Sequence, residues 1–261
     1  MRVCLSAGMI LMFLYSCNEP AIPLKKGLNR RAEHLEQDSV GHFPKPGSEH
    51  PSPDFGKQES ALEQELIAAG LQDVQALDSG IRVDLRYAGI HNFLGRNVYG
   101  HLRKAYLQPD VAQKVMHAQV LLRKRFPYYS LIIYDAVRPF HIQKLMWDSL
   151  RLPPGVKQVY LSAPAIGSLH NYGAAIDVGI VYEDGRELDM GTAFDFFGEL
   201  AHPEWEDRLV DEGKLSHRQV LNRELLRSVM KESGLQPIET EWWHFNACSR
   251  TVASDRYRMI E

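Results

Sequence analysis

Hydrophobic positions along the chain fall into short blocks whose spacing changes from one block to the next. In "SALEQELIAAGL" (60–71), Ser60 and Glu63 stand three apart, a capping box ahead of a helix that Gly70 ends. "GIRVDLRYAG" (80–89) alternates Ile81, Val83 and Leu85 with polar neighbours and predicts a strand. "QPDVAQKVMHAQVLLRKRF" (108–126) has helical spacing, which puts Val111, Val115, Val120 and Leu121 on its apolar face. "YSLIIYDAV" (129–137) predicts a buried strand, and Pro139 then suits the first turn of a helix through "PFHIQKLMWDSL". "GAAIDVGIVY" (173–182) predicts another strand, returning through a turn at "DGRELDM". "SHRQVLNRELLRSVMKESG" (216–234) predicts a second long helix stopped by Gly234, and "TEWWHFN" (240–246) a last β-rich element. Strands and helices mix without a regular βαβ repeat and without a Gly-rich phosphate loop. An α+β domain is expected.

The first 58 residues break this pattern. Arg2, an apolar run from Met9 to Leu14 and "LYSC" ending at Cys17 read as a secretory signal too short to span a bilayer. "LYSC" resembles the lipobox of bacterial lipoproteins, which implies that Cys17 is lipidated after cleavage. Residues 18–58 hold six of the fourteen prolines and little apolar periodicity, so a disordered tether is expected there. Its histidines, 34, 42 and 50, read as solvated linker residues. The expected organisation is a signal over 1–17, a tether over 18–58 and a catalytic domain over 59–261. That makes an exported protein, facing the periplasm or cell exterior, that meets the membrane through a lipid anchor only.

Composition narrows the classes. The chain has 261 residues, 44% of them hydrophobic, which suffices for one sizeable domain. A net charge of −3 gives no electrostatic reason to expect nucleic acid. Three cysteines (4, 17 and 248) cannot make a disulfide framework, and Cys248 is expected to be a buried thiol.

Candidate chemistry gathers in two stretches. In "GSLHNYGAAIDVGI" (167–180), Asp177 lies inside an apolar strand, costly unless paired or metal-bound. Gly173 lets the chain turn between it and His170. Alone, His170 could be a loop histidine and Asp177 a group bonded to backbone. "EWWHF" adds His244 and Glu241. Two imidazoles and a carboxylate make a ligand set for a catalytic zinc ion, and a second carboxylate beside it can move a proton. Residues 241 and 244 point to opposite faces of a regular strand, so a bulge or a helical turn must bring them together. The tryptophans are expected to pack around the site and dry it.

"SLHNYGAAID" and "EWWH" match the S-x-H-x-x-G-x-A-x-D and E-x-W-H motifs of zinc D,D-peptidases. With "DLRYAGIHNFLGRNVYG", "YDAVRP" and "GTAFDFF", the chain from about residue 75 to 246 resembles the D-alanyl-D-alanine dipeptidases. The resemblance implies the hedgehog/DD-peptidase fold, with an antiparallel-rich sheet flanked by helices. It implies one Zn²⁺ held by His170, Asp177 and His244, with Glu241 as general acid/base. It implies Arg138 as the stabiliser of the tetrahedral intermediate and Asp195 as the group that grips the ammonium of a small dipeptide. Ser168 and Tyr87 match substrate-pocket positions. Without the family, Arg138 reads as a structural ion pair and Asp195 as a helix cap. The implied reaction is hydrolysis of D-Ala-D-Ala, in turnover or salvage of dipeptide in the cell envelope.

Three rivals differ in chemistry. They are a peptidoglycan D,D-carboxypeptidase or endopeptidase of the same fold, a non-catalytic zinc-binding lipoprotein, and a serine hydrolase using Ser168, His170 and Asp177. Residues 150–167 fit no motif and run into the site, so they bear on substrate preference. His141, His202 and His217 lack ligand spacing.

Overall fold

The computed structural model describes residues 60–261; Cys17, the signal segment and the tether expected over 18–58 lie outside the described residues. The helices are α1 (Ala61–Ala68), α2 (Val74–Leu77), α3 (Pro109–Arg125), α4 (Phe140–Ser149), α5 (Pro154–Tyr160), α6 (Glu206–Asp211), α7 (His217–Glu232) and α8 (Arg250–Arg256). The strands are β1 (Gln72–Asp73), β2 (Arg82–Val83), β3 (Tyr106–Leu107), β4 (Tyr129–Asp135), β5 (Ala175–Tyr182), β6 (Gln236–Pro237) and β7 (His244–Asn246). A five-stranded sheet runs in the order β2-β4-β5-β7-β6, and β1 pairs with β3 beside it. Only β2 and β4 are parallel in the larger sheet, so it is antiparallel-rich, as the α+β reading expects.

Local chemistry sets the helix ends. Glu63 N–H donates to Ser60 Oγ at 3.1 Å and Ser60 N–H to the Glu63 carboxylate at 3.0 Å, the capping box expected for α1. Ser216 and Gln219 make a second box at α7. Helix α3 packs on β4 and against α7. Its buried positions are Val111, Ala112, Val115, Ala118, Gln119 and Leu122. Val120, expected on the core face, is instead 49% exposed, because the 3.6-residue period passes through Ala118, Gln119 and Leu122. Small Ala118, and Gln119 accepting the Leu131 N–H on its side-chain carbonyl at 2.7 Å, hide that face in the pattern.

The strand expected over 80–89 is also corrected. Only Arg82 and Val83 pair with β4, and Arg86–Ala88 tighten into a 3₁₀ turn. Ile81, Leu85 and Tyr87 remain buried. Their alternation reflects burial against the core more than extended pairing. Strands β4 and β5 meet expectation: both are buried along nearly their whole length. Helix α4 begins at Phe140, with Pro139 one residue before it as its cap. Cys248 is half-buried, not buried.

Candidate metal centre and active site

Sheet register builds the floor of the site. Asp135 on β4, Asp177 on β5 and His244 on β7 are successive cross-strand partners, so their side chains stand in one row. A register shift between Ile133 and Asp135 lets β4 bring Asp135 into that row. His170 arrives from a 3₁₀ turn, Leu169–Tyr172, that leads into β5. Gly173 ends the turn at φ +62, and a Cβ there would lie 2.6 Å from Leu71 and 3.2 Å from the Gln108 nitrogen. No other residue fits that bend.

The ligand atoms converge. His244 Nδ1 lies 2.9 Å from Asp177 Oδ1, His170 Nε2 lies 3.4 Å from the same oxygen, and the two ring nitrogens are 3.1 Å apart. Ligands about 2.0–2.1 Å from a tetrahedral ion stand roughly 3.3 Å from one another, so the three atoms fit one zinc-sized ion. The outward ring nitrogens fix the tautomers. His170 Nδ1–H donates to the Ala136 carbonyl at 2.7 Å, and His244 Nε2–H donates to Asn246 Oδ1 at 2.8 Å. Each imidazole is left with a lone pair facing the cluster. Burial opposes ionisation of Asp177, but the neighbouring imidazoles, His170 first, outweigh it and hold the carboxyl well below the usual range. Among the described residues, these three alone form a metal-ligating group.

Glu241 precedes a turn at Trp242–Trp243, and Oε2 comes to 3.8 Å from His244 Nδ1. The turn, and not a bulge, thus settles the geometry left open between 241 and 244. Burial pushes the Glu241 carboxyl up to about 7, with His244 opposing and the charges of Asp177 and Asp195 adding. Both tryptophans are buried; Trp243 lines the cavity, and Trp242 donates its indole N–H to Thr192 Oγ1 at 2.8 Å.

Arg138 is buried and makes the ion pair that its bland reading expected. Nε and Nη2 donate to Asp135 at 2.9 and 2.5 Å, and Nη1 donates to Gln143 at 2.9 Å. It also lines the cavity, 3.8 Å from Asp177 and with its guanidinium 5.2 Å from the Tyr87 ring centroid. Asn171 ties the two motifs together, donating to the Arg138 carbonyl and accepting from Ser168 N–H.

Asp195 is not a helix cap. It sits in a turn at φ +60, the one non-glycine residue with positive φ among those described. Tyr87 donates its hydroxyl to Asp195 Oδ1 at 2.9 Å, while Oδ2 is shut from solvent and has no partner among the described residues. Burial pushes this carboxyl up to about 7, with the Tyr87 hydroxyl opposing and Asp177 adding. Ser168 Oγ accepts the His170 backbone N–H at 3.3 Å, a capping role. With the His170 ring turned to Ala136 and the cluster, the serine-hydrolase rival has no base for Ser168.

All the site residues expected within the described chain line one cavity of about 270 Å³: His170, Asp177, His244, Glu241, Arg138, Asp195, Ser168 and Tyr87. Gln158, Leu161, Ser162, Asn246 and Arg250 also line it and were not expected. For Asn246 a signal was present: two residues past His244 on a strand, it shares that histidine's face. His141 and His202 lie elsewhere, on the Glu261 carbonyl and beside Glu204.

A family model described as D-ala-D-ala dipeptidase, of the M15 peptidases, matches residues 67–260. The chain is 30% identical over 190 residues to the D-alanyl-D-alanine dipeptidase of Escherichia coli K12, covering 72% of this chain and 91% of that one. It is 28% identical over 181 residues to the D-alanyl-D-alanine dipeptidase of Enterococcus faecium, covering 64% and 85%, and 29% identical over 181 residues to that of Enterococcus faecalis V583, with the same coverage.

Proposed function

From the premise that this chain belongs to the D-Ala-D-Ala dipeptidase family of M15 metallopeptidases, we propose that it is a zinc enzyme that hydrolyses D-Ala-D-Ala to two molecules of D-alanine. His170, Asp177 and His244 would hold the zinc ion, which would supply Lewis acidity to the scissile carbonyl and the attacking water. Glu241, not a ligand, takes the water's proton and passes it to the leaving amine. A carboxyl held near 7 is well placed to do both at neutral pH. Arg138, kept cationic by Asp135, stabilises the oxyanion as it develops. Ser168 and Tyr87 shape the pocket, Tyr87 by holding Asp195 in place.

The single observation that carries a dipeptidase over a stem-peptide carboxypeptidase is the unpartnered Oδ2 of Asp195. A buried carboxylate oxygen without a donor is costly, and a substrate ammonium supplies that donor. Acetylating the amino end removes the charge and leaves the cost. Free D-Ala-D-Ala is therefore expected to exceed the N-acetylated dipeptide about 100-fold or more in kcat/KM, and Asp195→Ala should narrow that gap. Equal turnover of free dipeptide, acetylated dipeptide and stem pentapeptide by the wild type sinks the reading in favour of wall trimming. One observation keeps the pentapeptide in the assay. Phe93 and Phe197 also border an open groove with Arg96 and Arg151, where an acidic extension could lie.

We place the enzyme outside the cytoplasm, anchored through lipidated Cys17 and acting on dipeptide released in the envelope. The "LYSC" sequence supports that placement. Equal partitioning of wild type and Cys17→Ser into detergent would refute the anchor.

A further inference from the structure

We propose that Arg250 receives the α-carboxylate of the substrate, so that the site reads both charged ends of a dipeptide; this rests on the dipeptidase reading above. A free dipeptide is a zwitterion, and a cavity that admits it must answer both charges or leave one poorly solvated. Two basic side chains of the lysine–arginine class line the cavity, Arg138 and Arg250. Arg138 is already engaged. All three of its nitrogens donate into the wall, and Asp135, fully shielded from solvent, balances its charge.

Arg250 is held differently. Its Nη1 donates to the carbonyls of Ile166, at 2.6 Å, and Gly167. These are neutral partners. Among the described residues no carboxylate pairs with it, so its charge and its remaining N–H groups are uncommitted. The two carbonyls fix the guanidinium to the backbone just before Ser168, at the head of the turn that carries His170.

Asp195 hangs from another wall. Its oxygen is held by Tyr87, and the neighbouring Phe194 packs on Trp243 with ring centroids 5.5 Å apart. An unpartnered carboxylate oxygen on one wall and an uncommitted guanidinium on another match the ammonium and carboxylate of a zwitterion. The planar fork of arginine suits a carboxylate, donating two parallel hydrogen bonds to its oxygens. Residues 150–167, which carry no motif, thereby gain a role: their last two carbonyls aim the group that reads the leaving residue.

The test compares D-Ala-D-Ala with its C-terminal amide on zinc-loaded wild type, Arg250→Gln and Arg250→Lys. The wild type is expected to prefer the free acid by roughly 10- to 100-fold in kcat/KM, mostly through KM, the range for a hydrogen bond to a charged group. Arg250→Gln should slow the free acid and spare the amide, and Arg250→Lys should restore part of the preference. A merely structural Arg250 would lower both substrates alike. Equal turnover of acid and amide by the wild type, or an equal loss on both in Arg250→Gln, overturns the assignment. If Arg250→Gln does not fold, the wild-type and lysine proteins still decide it. If the wild type hydrolyses neither compound, the dipeptidase reading fails instead. Calorimetric binding of the acid and the amide to the zinc-loaded wild type then judges Arg250 alone, with equal affinities counting against it.

Discussion

On the β4–β5–β7 floor, the outward ring nitrogens of His170 and His244 have fixed acceptors and the inward atoms converge on Asp177, whereas the loop over 190–200 holds Asp195 with one oxygen that has no partner among the described residues. The floor is set by strand register, and Asp135, Asp177 and His244 all keep negative φ. The loop is held by its ends. Arg223, buried on α7, donates to the carbonyls of Met190 at 2.6 Å and Leu200 at 2.8 Å, and Trp242 holds Thr192 from the other side. Between these anchors Asp195 adopts φ +60, a conformation that costs a non-glycine residue about 1 kcal/mol or more. The contrast separates two tasks. On the proposed reading, a floor fixed by strand register keeps the metal through every turnover, and a strained, unpartnered Asp195 gains a donor when the substrate arrives.

The largest expected effects come from breaking the floor. His244→Ala removes a ligand and should abolish both stoichiometric zinc and activity, read by elemental analysis and a D-alanine release assay. Glu241→Ala tests the same row without touching the ligand set. It should retain zinc and lose about 10²- to 10⁴-fold in kcat, the usual contribution of a general acid/base. Zinc lost from the Glu241 variant, or kept by the His244 variant, would redraw the roles.

A smaller effect probes what supports the floor from outside. Asn246→Leu keeps the volume near His244 but removes the acceptor for its Nε2–H. Zinc affinity, measured by chelator competition, should fall roughly 10- to 100-fold, as for other partners of metal-ligating histidines. Asn246→Gln should recover part of it. Unchanged affinity in the leucine variant would mean that sheet pairing alone orients the ring.

These two regions also differ in how far the sequence announced them. The floor was legible because burial on strands and charge inside an apolar run are both local signals: Asp177 stood out in "AAIDVGIV" as a carboxylate needing a partner. Helices α3 and α7 were legible from their period, but the core face of α3 was assigned partly to the wrong residues. Alanine and glutamine were buried where valine was not. The loop was not legible from its residues. A left-handed aspartate and a tyrosine 108 positions away have no local pattern, and only the family resemblance pointed to Asp195. Arg250 was missed for the same reason, since its partners lie more than 80 residues earlier.

The smallest expected effect is thermodynamic and falls on the clamp. Burial raises the Asp195 carboxyl from 3.8 to about 7 in the folded, metal-free protein, with the Tyr87 hydroxyl opposing the shift and Asp177 adding to it. In the unfolded chain the group returns to an ordinary aspartate value of about 3.9. Between those values the folded state binds more protons than the unfolded one, so this group's contribution to stability falls as pH rises. The contribution is complete below about 4 and lost above about 7. Asp195→Asn keeps the shape, removes the titration and leaves Tyr87 an acceptor. The variant should therefore match the wild type near pH 4.5 and exceed it near pH 8. A shift of about three units sets an upper bound near 4 kcal/mol, and partial solvent access at the cavity mouth brings the expectation to about 1–3 kcal/mol. Urea denaturation of chelator-treated protein at the two pH values reads the difference directly. Glu241 also titrates near 7, and without the Asp195 charge it is raised less, so its change in the variant has the same sign, adding stability near pH 8. If the two stability curves run parallel with pH, Asp195 is solvated in the free enzyme and the clamp stores nothing. If they diverge as expected, the variant should also lose its preference for a free amino end, tying the stability gained to the recognition given up.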